Sequence, residues 1–328
     1  MPKGRLMTYE TDELCSCDST SGLMVDTGLP PSNAPNTCDL YENVAYDQYW
    51  RRADRQKLNE LEHAIVNELL PITGQRIIDL GCGYGRLADC YMNRFRISVM
   101  FDGSRSLLQA AQKITGGKAL YVLGDINHLP FKTAAFDCAI MVRTFHHLDD
   151  PLSCTKNLRR ILCGGGSFIV NYSNKRNIYR VLKYLLGNRS HNPFSCEPDT
   201  TEPNFIHHHP DFIRKLLENA GFNISDIRGA GILDKFAGVL PTFLFPILPT
   251  GKTLAKVFGK LFLAPWIFLK ATVNAGETLL PTTTAEELLN CPQCGSQPVR
   301  SPSGFYCKEC QQVYPLDDGI IDMRISTT

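Results

Sequence analysis

The stretch that most constrains this chain is Arg76-Ile77-Ile78-Asp79-Leu80-Gly81-Cys82-Gly83-Tyr84-Gly85-Arg86. It begins as a short apolar run and ends in glycines at alternate positions, and a helical pattern follows over residues 87–95. Strand, Gly-x-Gly-x-Gly turn and helix, in that order, make a nucleotide-type binding turn. Glycine suits such a turn because no Cβ blocks a ligand and positive φ costs little. The helix start presents unpaired backbone N–H groups. Alone, the pattern also fits a tight strand-to-helix connection that holds nothing.

A second apolar run, residues 97–101, ends in Asp102, seventeen residues past Gly85. A carboxylate at the tip of a second strand is where a ribose diol is held, since it accepts two hydroxyl hydrogen bonds. The alternation continues. Strands are expected at about 76–80, 97–101, 119–123, 136–142 and 166–172, with helices at about 85–94, 104–114 and 151–162. Regular βαβ alternation implies a doubly wound α/β fold, a parallel sheet with helices on both faces. Ligands then bind at the carboxyl ends of the strands, where Asp79, Asp102, Asp125 and Arg143 all fall.

Several segments stand in a telling order: Asp79-Leu80-Gly81-Cys82-Gly83-Tyr84-Gly85, Phe101-Asp102-Gly103-Ser104, Gly124-Asp125-Ile126, Leu129-Pro130-Phe131 with Phe136-Asp137, His146-His147-Leu148, and Ile161-Leu162-Cys163-Gly164-Gly165-Gly166. Over about residues 41–230 this order resembles the class I S-adenosylmethionine (SAM) dependent methyltransferases, the UbiE-like or type 11 group especially. The family usually has Pro where Cys163 or Gly164 stands. The resemblance implies a Rossmann-like seven-stranded sheet and SAM as cofactor. It places Gly81, Gly83 and Gly85 against the methionine part, near Asp79, and gives Asp102 both ribose hydroxyls. It gives Asp125 the adenine amine, with the Ile126 N–H facing the ring. Arg143 would meet the cofactor's carboxylate or the substrate, although the family's usual contact there is backbone.

Catalytic candidates are His146 and His147, just after the fourth strand. A neutral imidazole there could take a proton from a hydroxyl or acidic carbon. The competing reading is that they cap a helix and order a loop, and an acceptor of low pKa needs no base.

The chain has 328 residues, 43% of them apolar, enough for one large domain or two. Lys+Arg 34 against Asp+Glu 33 leaves a net charge of +1, so no overall nucleic-acid footprint is present. The 13 cysteines are mostly scattered singly, which reads as a reducing, cytoplasmic protein with buried thiols. The N-terminus lacks an apolar run, so no secretory signal is expected. Residues 1–40, rich in Ser, Thr, Asp, Pro and Asn, are expected to be disordered. Cys15, Cys17 and Cys38 fit no common metal spacing.

The methyltransferase domain is expected over 41–275. Its opening, 41–70, is helical, with Leu58, Leu61, Ile65 and Leu69 on one face. The resemblance sets this segment across the cofactor site, with Tyr41, Tyr46 and Tyr49 near the substrate or simply packing. Between Asn171 and Pro210 a polar stretch suggests a substrate loop. His207-His208-His209 reads as a helix cap before Pro210-Asp211 rather than a metal tract, because adjacent side chains diverge. A helix at 210–220 and a sixth strand at 222–228 follow. An apolar insertion at about 232–265 carries several prolines, with Lys252, Lys256 and Lys260 spaced for one helical face. It reads as an element packed on the sheet before a seventh strand at about 266–273, or as a peripheral membrane or lipid contact.

After a linker at 276–290, the tail 291–324 is a unit of its own. Cys291-Pro-Gln-Cys294, twelve residues, then Cys307-Lys-Glu-Cys310 put four thiolates around one tetrahedral structural Zn²⁺. About 35 residues cannot build a stable core alone, so metal binding supplies folding free energy. Tyr314-Pro315-Leu316-Asp317-Asp318-Gly319-Ile320-Ile321-Asp322 resembles the small zinc-ribbon activator of tRNA and protein methyltransferases. The expected function is therefore methyl transfer to a small-molecule or lipid-like acceptor. The alternatives are an RNA or protein methyltransferase with a fused zinc-ribbon activator, and a non-catalytic SAM-binding scaffold.

Overall fold

A computed structural model describes residues 46–202, 205–232, 251–282 and 284–325. The expectations for residues 1–40, for Tyr41 and the side chain of Tyr46, and for residues 233–250 of the apolar insertion lie outside the described residues.

Two helices, α1 (Tyr46–Arg51) and α2 (Ala53–Leu69), lead into β1 (Gly74–Leu80). The helix expected over 85–94 is regular only over α3 (Ala88–Tyr91). The turn before it is tightened by bonds to the third residue back, Gly85 N–H to the Cys82 carbonyl and Ala88 N–H to the Gly85 carbonyl, both at 3.0 Å. Next come β2 (Phe95–Asp102), α4 (Arg105–Thr115), β3 (Leu120–Leu123), β4 (Phe136–Met141), α5 (Pro151–Ile161) and β5 (Leu162–Ser173). Side chains set the helix starts: the Ser104 hydroxyl accepts from the Leu107 N–H, and Asp150 accepts from the Ser153 N–H ahead of Pro151.

The polar stretch after β5 forms α6 (Ile178–Leu185) and a hairpin of β6 (Asp199–Glu202) and β7 (Phe205–His207). Then α7 (Pro210–Asn219) leads into β8 (Phe222–Ala230). The His209 ring accepts from the Asp211 N–H, so the third histidine of the run is a cap. The insertion contributes α8 (Gly251–Lys260), and β9 (Trp266–Val273) closes the body. α8 lies hard against β8: a Cβ on Gly259 would sit 2.6 Å from the Gly229 nitrogen. Lys256 pairs with Glu68 at 3.2 Å, so this part of the insertion packs on the protein. Among the described residues no helix is long and apolar enough to cross a membrane.

The body's strand order is β3-β2-β1-β4-β5-β9-β8, parallel from β3 to β5, with β9 antiparallel to both neighbours. Alternate residues face opposite sides. Ile78 and Phe101 pack with Leu158 of α5 and Ile213 of α7. Ile77 and Met100 pack with Leu58 and Ile65 of α2 and Leu108 of α4. This is the expected seven-stranded, doubly wound sheet.

The C-terminal ribbon does not stand apart from it. Its strands β10 (Val299–Ser301), β11 (Gly304–Tyr306), β12 (Val313–Asp317) and β13 (Ile320–Asp322) continue the same sheet to eleven strands. β13 runs parallel to β3, pairing Ile320 with Tyr121 and Asp322 with Leu123. The β3 edge is thereby covered, which removes a row of unpaired backbone groups. Ile320 and Ile321 are fully buried by this docking, together roughly 3–6 kcal/mol of gross apolar burial. The stretch 276–290, expected as a linker, also lies along the body. Leu280 N–H bonds to the Ala134 carbonyl, Lys132 N–H to that of Leu288, and Asn290 N–H to that of Pro130, each at 2.9 Å.

Candidate active site

A cavity of about 550 Å³ opens at the carboxyl ends of β1 to β4. The glycine turn forms one wall, with φ of 70° at Gly81, 54° at Gly83 and 82° at Gly85. These are left-handed values that favour glycine. A Cβ on Gly81 would also sit 2.2 Å from the Thr144 hydroxyl oxygen, so the turn fits only without one. The turn is latched to β2: the N–H groups of Gly81 and Cys82 donate to the Phe101 carbonyl at 2.8 and 3.2 Å.

Asp102 holds the latch. Its Oδ2 accepts the Gly83 N–H at 2.8 Å and its Oδ1 accepts the Ser104 N–H at 2.9 Å. A carboxylate oxygen can accept more than one hydrogen bond. Asp79 lies deeper, only 3% exposed, and its Oδ2 accepts from the Tyr91 hydroxyl at 2.9 Å. Burial pushes the Asp79 carboxyl up to about 7; the nearby Asp102 charge adds to this, while Tyr91 and Arg86 oppose it. Asp125, past β3, accepts the Asn127 N–H at 2.9 Å on Oδ1 and lies 2.8 Å from His128 Nδ1 on Oδ2. Ile126 lines the same region.

The other end of the cavity rests on a buried ion cluster of which the sequence singles out only Arg143. Glu62 of α2 is fully buried, and Arg86 Nη2 and Arg143 Nε donate to it at 2.8 and 2.9 Å. Arg86 also donates to Asn59 Oδ1 at 2.7 Å and stacks 3.9 Å over the Trp50 ring. Arg143 lies 3.4 Å over the Trp266 ring, and its backbone has φ of 66°. Burial alone would raise the Glu62 carboxyl, but Arg143 and Arg86 outweigh it and hold it below the ordinary value. Two cations against one anion leave a net positive charge beside a cavity that both arginines line. The available signal is Glu62 itself, four residues after Leu58 and three before Ile65, a charge on the apolar face of α2. Tyr49 is 38% exposed, edge-on to Trp50, and is not among the residues lining this cavity.

The two histidines separate. His147 lines the cavity, whereas His146 is not among the lining residues. His146 is buried between His147, Phe205 and Trp266, with ring centroids at 4.1, 4.5 and 5.2 Å. Burial, with the charges of His147 and Arg143, holds the His146 imidazole neutral, well below its ordinary pKa. Behind this layer is a second cavity of about 380 Å³, walled by Tyr179, Phe205 and Trp266 and edged by Arg180, Lys183 and His207. His207 Nδ1 lies 2.6 Å from the Ser173 hydroxyl, and His208 stacks on Phe212. With His209 capping α7, the run forms no metal cluster among the described residues.

Cys291, Cys294, Cys307 and Cys310 bring their sulfurs within 4.8 Å of one another, with Cys291–Cys310 and Cys294–Cys307 each at 3.4 Å. Two like turns present them. Gly295 N–H bonds back to the Cys291 carbonyl and Gln311 N–H to that of Cys307, each at 2.9 Å. Tetrahedral thiolate ligation at about 2.3 Å from zinc places sulfurs roughly 3.8 Å apart, so this set fits a single ion. A final feature had no signal in the sequence: Met323, Arg324 and Ile325, just past β13, line the first cavity.

Residues 78–170 match the family model described as a methyltransferase domain. A Ubiquinone biosynthesis O-methyltransferase of Coxiella burnetii is 24% identical over 196 residues, covering 58% of this chain and 82% of that protein. An uncharacterized protein of Mycobacterium tuberculosis is 26% identical over 172 residues, 52% of this chain and 55% of its own length. Among solved structures, magnesium protoporphyrin IX methyltransferase from Synechocystis PCC 6803 with bound SAH aligns at a TM-score of 0.49 and 15% identity, covering 71% of this chain and 96% of that one. Residues 78–170 form a methyltransferase domain. The chain is a SAM-dependent methyltransferase.

Proposed function

We propose that this enzyme methylates a small-molecule acceptor, lipid-like in its apolar part, held in the second cavity. The observation that carries the reading is a second, apolar-walled cavity that meets the first at one layer, Arg143, His146, His147, Phe205 and Trp266, so that the reacting end of an acceptor seated there has only this layer to pass to reach the methyl group. In this reading SAM supplies an electrophilic methyl group on a sulfonium. The protein's own residues bind, orient and exclude water. Asp102 accepts the ribose hydroxyls, Asp125 and the Ile126 N–H meet the adenine edge, and the glycine turn passes close to the methionine part. Arg143, with Arg86, presents positive charge to a carboxylate. His147 is the candidate to accept the acceptor's proton; His146, neutral and walled in, positions that layer. Tyr179, Phe205 and Trp266 offer apolar surface to an acceptor, while Arg180 and Lys183 suit an acidic group on it.

The test is a transfer assay with methyl-labelled SAM and separated lipid, metabolite, RNA and protein fractions. Label in the lipid or metabolite fraction is expected. Label only in RNA or protein would replace this acceptor class, and no label in a protein that binds SAM would leave a scaffold.

Cofactor affinity should depend on pH through Asp79. Its carboxyl titrates near 7 in the free protein, and the ionised form attracts a cationic cofactor. Affinity should therefore rise as pH goes from 6 to 8, by up to about tenfold per unit below 7. Asp79→Asn should flatten the profile, and a wild-type profile already flat by calorimetry would remove Asp79 from the cofactor's charge.

We also propose that the four cysteines hold one structural Zn²⁺. Metal analysis of protein purified without chelator should give one zinc per chain; a chain lacking zinc would refute the assignment.

A further inference from the structure

The first cavity has a wall that comes from the ribbon. Met323, Arg324 and Ile325 line it together with Asp102, Gly124 and Asp125. They are delivered by the β13–β3 pairing, extended one step by the Met323 N–H, which donates to the Leu123 carbonyl at 2.7 Å. Met323 is 1% exposed and shares the core cluster of Phe101 and Val122. Arg324 is held by Asp322 through Nε and Nη2 at 2.9 and 2.7 Å.

Asp322 in turn ties the ribbon to α4, the helix that follows Asp102. Arg105 lies 3.4 Å from both Asp322 and Asp317, and Gln112 Nε2 donates to the Asp318 carbonyl at 2.8 Å. Upstream, β12 carries Tyr314, fully buried, with its hydroxyl 2.9 Å from Cys291 Sγ. An unbroken series of contacts thus runs from the four sulfurs through Tyr314, β12 and β13 to the cavity wall.

We propose that the cofactor site is composite: residues Met323–Ile325, held in place by the metal-bound ribbon, form its adenosine-side wall, so that filling the four-cysteine centre and binding the cofactor favour one another. The proposal rests on the reading of the first cavity as the cofactor's and of the cysteines as a zinc centre. Coupling of this kind is reciprocal: if zinc raises cofactor affinity, cofactor raises zinc affinity by the same factor.

The experiment uses the full chain and S-adenosylhomocysteine (SAH) as probe. SAH is titrated calorimetrically into the zinc-loaded protein and into a chain ending at Met323, with zinc content and far-ultraviolet circular dichroism measured on both. The shortened chain keeps Met323 in the core and all four cysteines, so it should retain zinc and fold. Its SAH affinity is expected to fall at least about fivefold. A second measurement is the zinc affinity, read by equilibrium competition with a chromogenic chelator, which saturating SAH should tighten by at least about fivefold in the full chain and leave unchanged in the shortened one. A smaller effect on either readout overturns the composite site while leaving the cofactor reading intact. Failure of the full zinc-loaded chain to bind SAH overturns both, so the two failures are distinct. Were the shortened chain to lose its fold or its zinc, the zinc-affinity measurement on the full chain decides.

Discussion

Asp102→Ala is expected to weaken cofactor binding at least about 100-fold while the fold survives. Two hydroxyl hydrogen bonds to an ionised acceptor, each worth about 1.5–3 kcal/mol, are lost. A combined loss of about 3 kcal/mol already corresponds to more than 100-fold. The same substitution strips the acceptor from the Gly83 and Ser104 N–H groups, so the glycine turn loosens as the ligand contact goes. The core beneath is untouched, because Val99, Met100 and Phe101 pack on both faces of the sheet without it. Calorimetric titration of SAH, beside a thermal melt, separates the two effects. Unchanged affinity in a folded variant would remove Asp102 from the cofactor site.

Glu62→Ala should act on stability, by about 3–5 kcal/mol, because removing one member of a buried cluster leaves the others uncompensated. The Arg86 and Arg143 side chains are only 8% and 10% exposed, so water replaces the carboxylate only in part. The double variant Glu62→Ala, Arg143→Ala should lose less than the sum of the single losses, since the second change removes a stranded charge. Strict additivity in urea unfolding would show that the cluster is not energetically coupled. The pH dependence has a definite sign. The folded carboxyl lies below its ordinary value of 4.5, so its stabilisation is complete above pH 4.5 and is lost as pH falls through the folded value. Glu62→Gln should blunt that acid sensitivity.

That Asp79, Asp102 and Asp125 fall at one cavity was readable in the sequence, because each lies at the end of an apolar run, and in a parallel sheet those ends share one side. The cysteines were readable because their spacing is local: each CxxC closes its own turn. Glu62 was half readable. Its place on the apolar face of α2 signals a buried charge, but its partners lie 24 and 81 residues away and meet it only through the tertiary fold. The histidine run was decided by adjacency, since neighbouring side chains diverge into a cavity, a stack and a cap. The addition of the ribbon to the sheet left no sequence trace. Strand pairing at an edge uses backbone groups that every residue carries, and Ile320-Ile321 would look the same inside a separate ribbon. Met323–Ile325 followed from that pairing and shared its silence.

The β13–β3 pairing also sets the timing of assembly. During synthesis β3 leaves the ribosome about 200 residues ahead of the strand that covers its edge. For that interval the growing chain presents four residues of open sheet edge, a short template that limits wrong partners but does not abolish them. Closure joins segments far apart in the chain and must overcome the entropy of that long loop. The edge of β3 therefore stays open until β13 is made and paired: a chain stopped before it carries the glycine turn and its acidic partners but leaves that seam exposed.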